Sequence, residues 1–168
     1  MVERHAAPLF AAVKASRAEL LPWMPWAREP KLNLEMAMQS ERAWLDDEHY
    51  HFALVEKSTG DVLGVAGLNR EAPGTAELHY WIRSDRAGRG LTTEAGRAVV
   101  DWARDALRLD RLTLWAGTEN AASRRVAAKL GFAHVGPLPW RPEGGLGDFA
   151  AESYELELRP LPPPPRAE

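Results

Sequence analysis

The spacing of apolar residues changes several times along the chain, and each change marks an element. Glu3–Leu21 carries Leu9, Phe10, Val13, Leu20 and Leu21 at helical spacing, and Pro22 ends that run. Pro22-Trp23-Met24-Pro25-Trp26 cannot continue a helix, because two prolines remove donors and push the residues before them toward extended forms. A second helix is predicted over Leu34–His49, with Met38, Ala43 and Trp44 among its apolar positions. Phe52–Glu56 and Asp61–Asn69 read as strands joined by Lys57-Ser58-Thr59-Gly60, a hairpin loop by composition. Glu71–Thr75 is a turn, and the strand Ala76–Ile82 follows it.

Beyond residue 90 the period returns to that of a helix. Leu91, Ala95, Ala98, Val99, Trp102 and Ala106 recur at spacings of three and four and predict one apolar helix face. Arg111–Ala116 alternates as a strand, with Leu112 and Leu114 on one side and Thr113 and Trp115 on the other. Ala121–Leu130 is a short helix, with Asn120 placed as its N-cap and Gly131 just past its end. Phe132–Gly136 is a short strand, Pro137–Gly147 a Pro/Gly-rich loop and Phe149–Leu158 a last alternating strand. Leu161–Glu168 is a proline-rich tail expected to be disordered, so residues 1–160 form the single expected domain.

The most informative stretch lies between the Ala76–Ile82 strand and the helix after it. Asp85-Arg86-Ala87-Gly88-Arg89-Gly90-Leu91 places two glycines one residue apart, where the backbone can turn tightly. The next helix offers unpaired N–H groups and the positive end of its dipole. Strand, glycine loop and helix N-terminus together make a phosphate cradle. The loop lacks the Gly-Lys-Ser/Thr ending of a nucleotide P-loop and the third glycine of a dinucleotide fingerprint, so another pyrophosphate carrier fits better.

Charge and composition narrow the chemistry. A net charge of −3 over 168 residues supplies no basic footprint for nucleic acid. The absence of cysteine removes any disulfide framework, thiolate metal site or cysteine nucleophile from this chain. No apolar run approaches the ~20 residues of a membrane span, and no secretory signal precedes the first helix, so a cytoplasmic protein is expected. The five histidines show no metal-ligand spacing; His49 and His51 follow Asp46, Asp47 and Glu48, which read as a charge cluster at a helix end.

Three blocks, in this order and at this spacing, resemble the GNAT superfamily of N-acetyltransferases: Leu20–Trp26, Gly88–Ala103 and Thr118–Phe132. Within it the chain looks most like the branch of ribosomal-protein serine and alanine N-terminal acetyltransferases. The resemblance implies an α/β fold with a strongly bent, mostly antiparallel mixed sheet, flanked by helices and splayed between the fourth and fifth family strands. It also implies acetyl-CoA as cofactor and an amine as acceptor. GNAT domains open with a strand before their first helix, and this chain starts almost inside that helix. The first family strand is therefore expected to be missing, leaving an edge that is paired with a partner subunit of a homodimer, covered, or solvated.

The same resemblance distributes roles. Arg86, Ala87, Gly88, Arg89, Gly90, Leu91 and Thr92 would hold the pyrophosphate, and Trp81, Ile82 and Arg83 would bring backbone groups to the acetyl and pantetheine portions at a bulge. By periodicity alone, Trp81 and Ile82 are core residues on opposite faces of a strand. Asn120 would touch the pantetheine arm as well as cap its helix, and Lys129 and Arg125 would reach the 3′-phosphate or remain solvated. Asp85 departs from the family loop, since an acid beside a pyrophosphate needs Arg86 or Arg89 to offset it.

Acyl transfer requires a neutral amine, so a base that collects the ammonium proton is useful. Glu77 is the candidate, against the alternative of a solvated strand glutamate. The tyrosine that many relatives place seven residues after the capping asparagine is replaced here by Ala127. Ser123 is then the candidate donor to the coenzyme sulfur, against the alternative of a local backbone bond. His79 shares the strand face of Glu77 and would line the acceptor pocket or share proton transfer. Trp23, Trp26 and Trp44 would shape the acceptor cleft or pack in the core. The implied activity is direct transfer to a primary amine, first a protein N-terminus. A small amine, or an acyl-CoA sensor without turnover, are the alternatives.

Overall fold

The computed structural model describes residues 5–28, 48–138 and 150–158. Six strands form one mixed sheet: β1 (His49–Val55), β2 (Val62–Ala72), β3 (Thr75–Ile82), β4 (Arg111–Gly117), β5 (Ala133–Pro137) and β6 (Ala151–Glu157), in the order β1-β2-β3-β4-β6-β5. Every pairing is antiparallel except β3 with β4. That parallel step needs a crossover, and α3 (Leu91–Asp105) supplies it.

Alternation along β1–β3 sorts the side chains onto two faces. Pairing puts Tyr50, Leu68 and Leu78 in one row and Phe52, Ala66 and Tyr80 in the next, all on the face covered by α3. There Val99, Val100 and Ala103 of α3 join Leu112 and Leu114 of β4 in the main core. The opposite face carries Ala53, Val65 and Trp81, packed against Leu9 of α1 (Ala6–Ala15). Helix α4 (Ala121–Leu130) follows β4, capped by the Asn120 side chain and ended by Gly131 at φ 89°.

Several boundaries differ from the sequence-based ones. The first predicted helix breaks at Ser16, so α1 stops at Ala15 and a single turn, α2 (Arg17–Leu20), follows. His49 belongs to β1 rather than to a helix, because His49-Tyr50-His51-Phe52-Ala53-Leu54 alternates faces in register with β2. The rest of that predicted helix, with Trp44, lies outside the described residues, as do most of the 137–147 loop and the proline-rich tail. The buried face of α3 is Gly96, Val99, Val100 and Ala103; Ala98 and Ala106 are exposed. A Cβ at Gly96 would stand 2.8 Å from Leu130 Cδ1, so this position lets α4 approach α3 closely. Among the described residues no strand precedes α1, and β1 forms the sheet edge.

Candidate active site

The parallel pair β3–β4 stays in register only at Thr75–Arg111, Ala76–Leu112 and Glu77–Thr113. Beyond Glu77 the strands diverge, and among the described residues Leu78–Ile82 have no strand partner on that side. The resulting wedge has Glu77 at its apex, β3 as one wall, and β4 leading into α4 as the other. The resemblance implied a bulge at Trp81–Arg83. The register irregularities instead lie at Leu54/Val55 and Arg70/Ala72, and divergence frees the β3 backbone. Ser123 sits in the first turn of α4, its N–H donating to Asn120 Oδ1 at 3.1 Å. The Tyr80 hydroxyl lies 3.1 Å from Ser123 Oγ and donates to Ser123 O at 3.2 Å, so a hydrogen bond spans the wedge from β3 to α4.

The wedge ends at the glycine loop. Arg83 N–H donates to Leu63 O at 2.7 Å, and a single 3₁₀ turn, Ser84–Arg86, follows. Gly88 and Gly90 have φ of 77° and 82°, and a Cβ at either would meet nothing. Their need for glycine is therefore conformational rather than spatial. Gly90 is the N-cap of α3 and has no side chain to satisfy the first-turn N–H groups, among them those of Leu91 and Thr92. The Arg83 guanidinium clamps Asp85 through two bonds of 3.0 and 2.8 Å and holds its carboxyl below the usual carboxylate range. Asp85 is thus offset chiefly by Arg83, with Arg86 at 3.8 Å, while Arg86 and Arg89 each approach Glu56 at 3.7 Å. Glu56, at the end of β1, escaped notice in the sequence because nothing there links it to a loop thirty positions on.

The face of β3 that carries Glu77 continues with His79 and Trp81. Cross-strand register completes two polar rows, His49–Asn69–Glu77 and His51–Gly67–His79. Gly67 has no side chain between the two imidazoles, whose rings come within 4.5 Å; a Cβ there would stand 2.8 Å from His79 Nε2. Burial first, and then the nearby His51 and His49, push the His79 pKa down from 6.5 to about 3. His79 is therefore a neutral imidazole at physiological pH. Asn69 Oδ1 and His79 Nε2 are buried, and neither has a hydrogen-bond partner among the described residues. Trp26 stands half-exposed with its ring 6.0 Å from that of Trp81, at the apolar end of this face.

Other candidates fall elsewhere. Trp23 occupies the turn that closes α2, and Lys129 and Arg125 are exposed on α4, Lys129 in its last turn. A cleft of about 540 Å³ lies between β1 and α3 against Phe52, Leu54 and Trp102, and meets the glycine-loop region at Glu56 and Leu91. Among the described residues no cluster of histidines and carboxylates is arranged to hold a metal. None of the described helices is long and apolar enough to cross a membrane.

Tyr80, Asn69 and Gly67 had not been singled out in the sequence. A period-2 register of three strands would have placed Asn69 and Gly67 beside Glu77 and His79. No sequence signal links Tyr80 to Ser123, forty-three positions apart.

Comparison with known proteins agrees with this geometry. Residues 1–133 match the acetyltransferase (GNAT) domain family. The probable N-acetyltransferase YjcK of Bacillus subtilis is 37% identical over 89 residues, 51% of this chain and 49% of the relative. The chain spans about half the length of several curated relatives that it matches. The ribosomal-protein-serine acetyltransferase of Escherichia coli is 23% identical over 82% of this chain and 79% of its own. An L-methionine sulfoximine/L-methionine sulfone acetyltransferase of Pseudomonas aeruginosa is 29% identical over 61% of this chain and 63% of its own. Among solved structures, RimL, a ribosomal L7/L12 α-N-protein acetyltransferase in complex with coenzyme A, superposes with a TM-score of 0.78. It is 20% identical and covers 94% of this chain and 90% of its own. With a family match over most of its length and the split sheet of that fold, this chain belongs to the GNAT acetyltransferase family.

Proposed function

We propose that this chain is an N-acetyltransferase that moves the acetyl group of acetyl-CoA directly to a primary amine, in the first place the α-amine of a protein N-terminus. One observation carries the amine: Glu77 stands at the apex of the wedge, on a face where the buried Asn69 Oδ1 and His79 Nε2 have no hydrogen-bond partner among the described residues. A carboxylate, an amide oxygen and a neutral imidazole nitrogen can all accept hydrogen bonds. An ammonium ion or amine brings the matching donors.

Residues of this chain fit acetyl-CoA at the other end. The uncapped first turn of α3, with Arg86, Ala87, Gly88, Arg89, Gly90, Leu91 and Thr92, suits a pyrophosphate. Arg86 and Arg89 would turn from Glu56 toward the added negative charge. Asn120, at the start of α4 beside Ser123, borders the pantetheine path. When bound, the thioester supplies an activated acetyl carbonyl. Glu77 takes the ammonium proton, directly or through water, and frees the nitrogen lone pair. Past Glu77, alternate N–H groups of β3 point away from β2 toward the wedge, and the one at Ile82 is the donor for the carbonyl oxygen, while the N–H of Trp81, like that of Arg83, turns to β2. Ser123 donates to the departing sulfur. His79 stays neutral and orients the amine rather than taking its proton.

The preference for a protein N-terminus rests on the ribosomal-protein-serine acetyltransferase, and a small amine on the methionine sulfoximine relative. Trp26, half-exposed beside Trp81, suits the residues that follow the α-amine of a peptide. An acyl-CoA sensor is separated from an enzyme by Glu77→Gln. Turnover at neutral pH is expected to fall about 10²–10⁴-fold with acetyl-CoA binding unchanged. A variant that transfers acetyl as fast as the parent removes Glu77 as the base.

A further inference from the structure

We propose that Tyr80 is a positioning residue for the leaving group, holding the Ser123 hydroxyl so that its proton points into the wedge at the coenzyme sulfur. The inference rests on the acetyl-CoA site proposed above and extends it to a residue that no comparison assigns.

Ser123 is pinned twice. Its N–H is held by Asn120 Oδ1, and its side-chain oxygen lies 3.1 Å from the Tyr80 hydroxyl. The phenol has one proton and two acceptors in reach, Ser123 Oγ and, at 3.2 Å, Ser123 O. Burial pushes the phenol pKa up to about 12, so it keeps that proton across the working pH range and acts as a donor. When it donates to the carbonyl, the serine proton is free to rest on the phenol oxygen. When it donates to Oγ, the serine proton must point elsewhere, and the wedge is the open side.

Charge on sulfur selects the second arrangement. The N–C bond forms, the C–S bond breaks, and sulfur leaves with the electron pair. The proton shed by nitrogen balances that charge through Glu77 or water, while Ser123 and Tyr80 end protonated as they began. A serine hydroxyl is a weak donor alone, and a phenol donating into its oxygen polarises it further. A tyrosine on β3 thus reaches, through Ser123, the place that Ala127 leaves without a hydroxyl on α4.

The test titrates the thiol of bound coenzyme A by its thiolate absorbance near 232 nm, in the parent, Tyr80→Phe, Ser123→Ala and the double variant. The parent is expected to lower the thiol pKa relative to free coenzyme. Tyr80→Phe and Ser123→Ala should each raise it back, and the double variant should add nothing. With acetyl-CoA and an amine, Tyr80→Phe should lower kcat about tenfold with KM for acetyl-CoA unchanged, and should have no effect in the Ser123→Ala background. Unchanged thiol pKa and kcat in Tyr80→Phe, or losses that multiply in the double variant, overturn the proposal. Thermal melting of each variant separates these results from misfolding, and Tyr80→Phe keeps the ring that packs beside α3. A parent that binds coenzyme A but acetylates no amine would overturn the proposed function, while the thiol titration would still decide Tyr80.

Discussion

His79 shows how a residue's neighbours set its chemistry. As a lone strand histidine it would titrate near 6.5, yet across Gly67 it meets His51, and burial makes its charged form costly. From β1, His51 and His49 oppose its charging; β2 presents only Gly67 and Asn69, which do not titrate; along β3 the next group is Glu77. Its folded-state pKa of about 3 lies below the ordinary value, so between the two the unfolded chain binds a proton that the folded chain refuses. Stability is therefore present above pH ~6.5 and falls as the pH drops toward 3, by roughly 1 kcal/mol per pH unit. His79→Gln, which cannot titrate, should flatten the fall in thermal midpoint between pH 7 and 5. Parallel profiles for parent and variant would contradict this. In the sequence only the shared face of Glu77 and His79 was legible. Nearness to His51 depends on register across a third strand, and local alternation does not set register.

Among the elements, the long periodic ones were the most legible. Strand β3, helix α3 and the capped helix α4 lie where apolar spacing and the Asn120 and Gly131 signals put them. The face of α3 was less so, because alanines at Ala98 and Ala106 look apolar but bury little, whereas Gly96 looks like a breaker and is buried against Leu130. The break between α1 and α2 was invisible for a similar reason. Ser16 is 1% exposed, and its Oγ accepts the Ser84 N–H at 2.9 Å, tying the helix junction to the first residue of the loop turn. Ser16→Ala would leave that N–H unsatisfied and should cost about 1–3 kcal/mol of stability, read from denaturant midpoints, together with a raised KM for acetyl-CoA. Unchanged stability would show that the junction does not depend on this bond.

In the whole molecule, a single topological event assembles the site. Crossing over through α3 makes β3 and β4 parallel, and their divergence after Glu77 opens a wedge between the uncapped first turn of α3 and the first turn of α4. In the proposed reaction the acetyl donor would enter along the split from one side, and the amine would meet Glu77, Asn69 and His79 from the face beside α1. Both ends were legible as motifs, the glycine loop and the Asn120 helix. Their juxtaposition was legible only through resemblance, since nothing in either motif says that two parallel strands part between them. The most direct test is mass-resolved acetyl transfer from acetyl-CoA to peptides with free Ser, Ala, Thr and Met N-termini, alongside polyamines, amino acids and aminoglycosides. A Ser- or Ala-led peptide should gain a single acetyl group on its α-amine, and Glu77→Gln should slow that gain about 10²–10⁴-fold. Acetyl-CoA bound by the protein with no acetyl reaching any amine would contradict the proposed transfer.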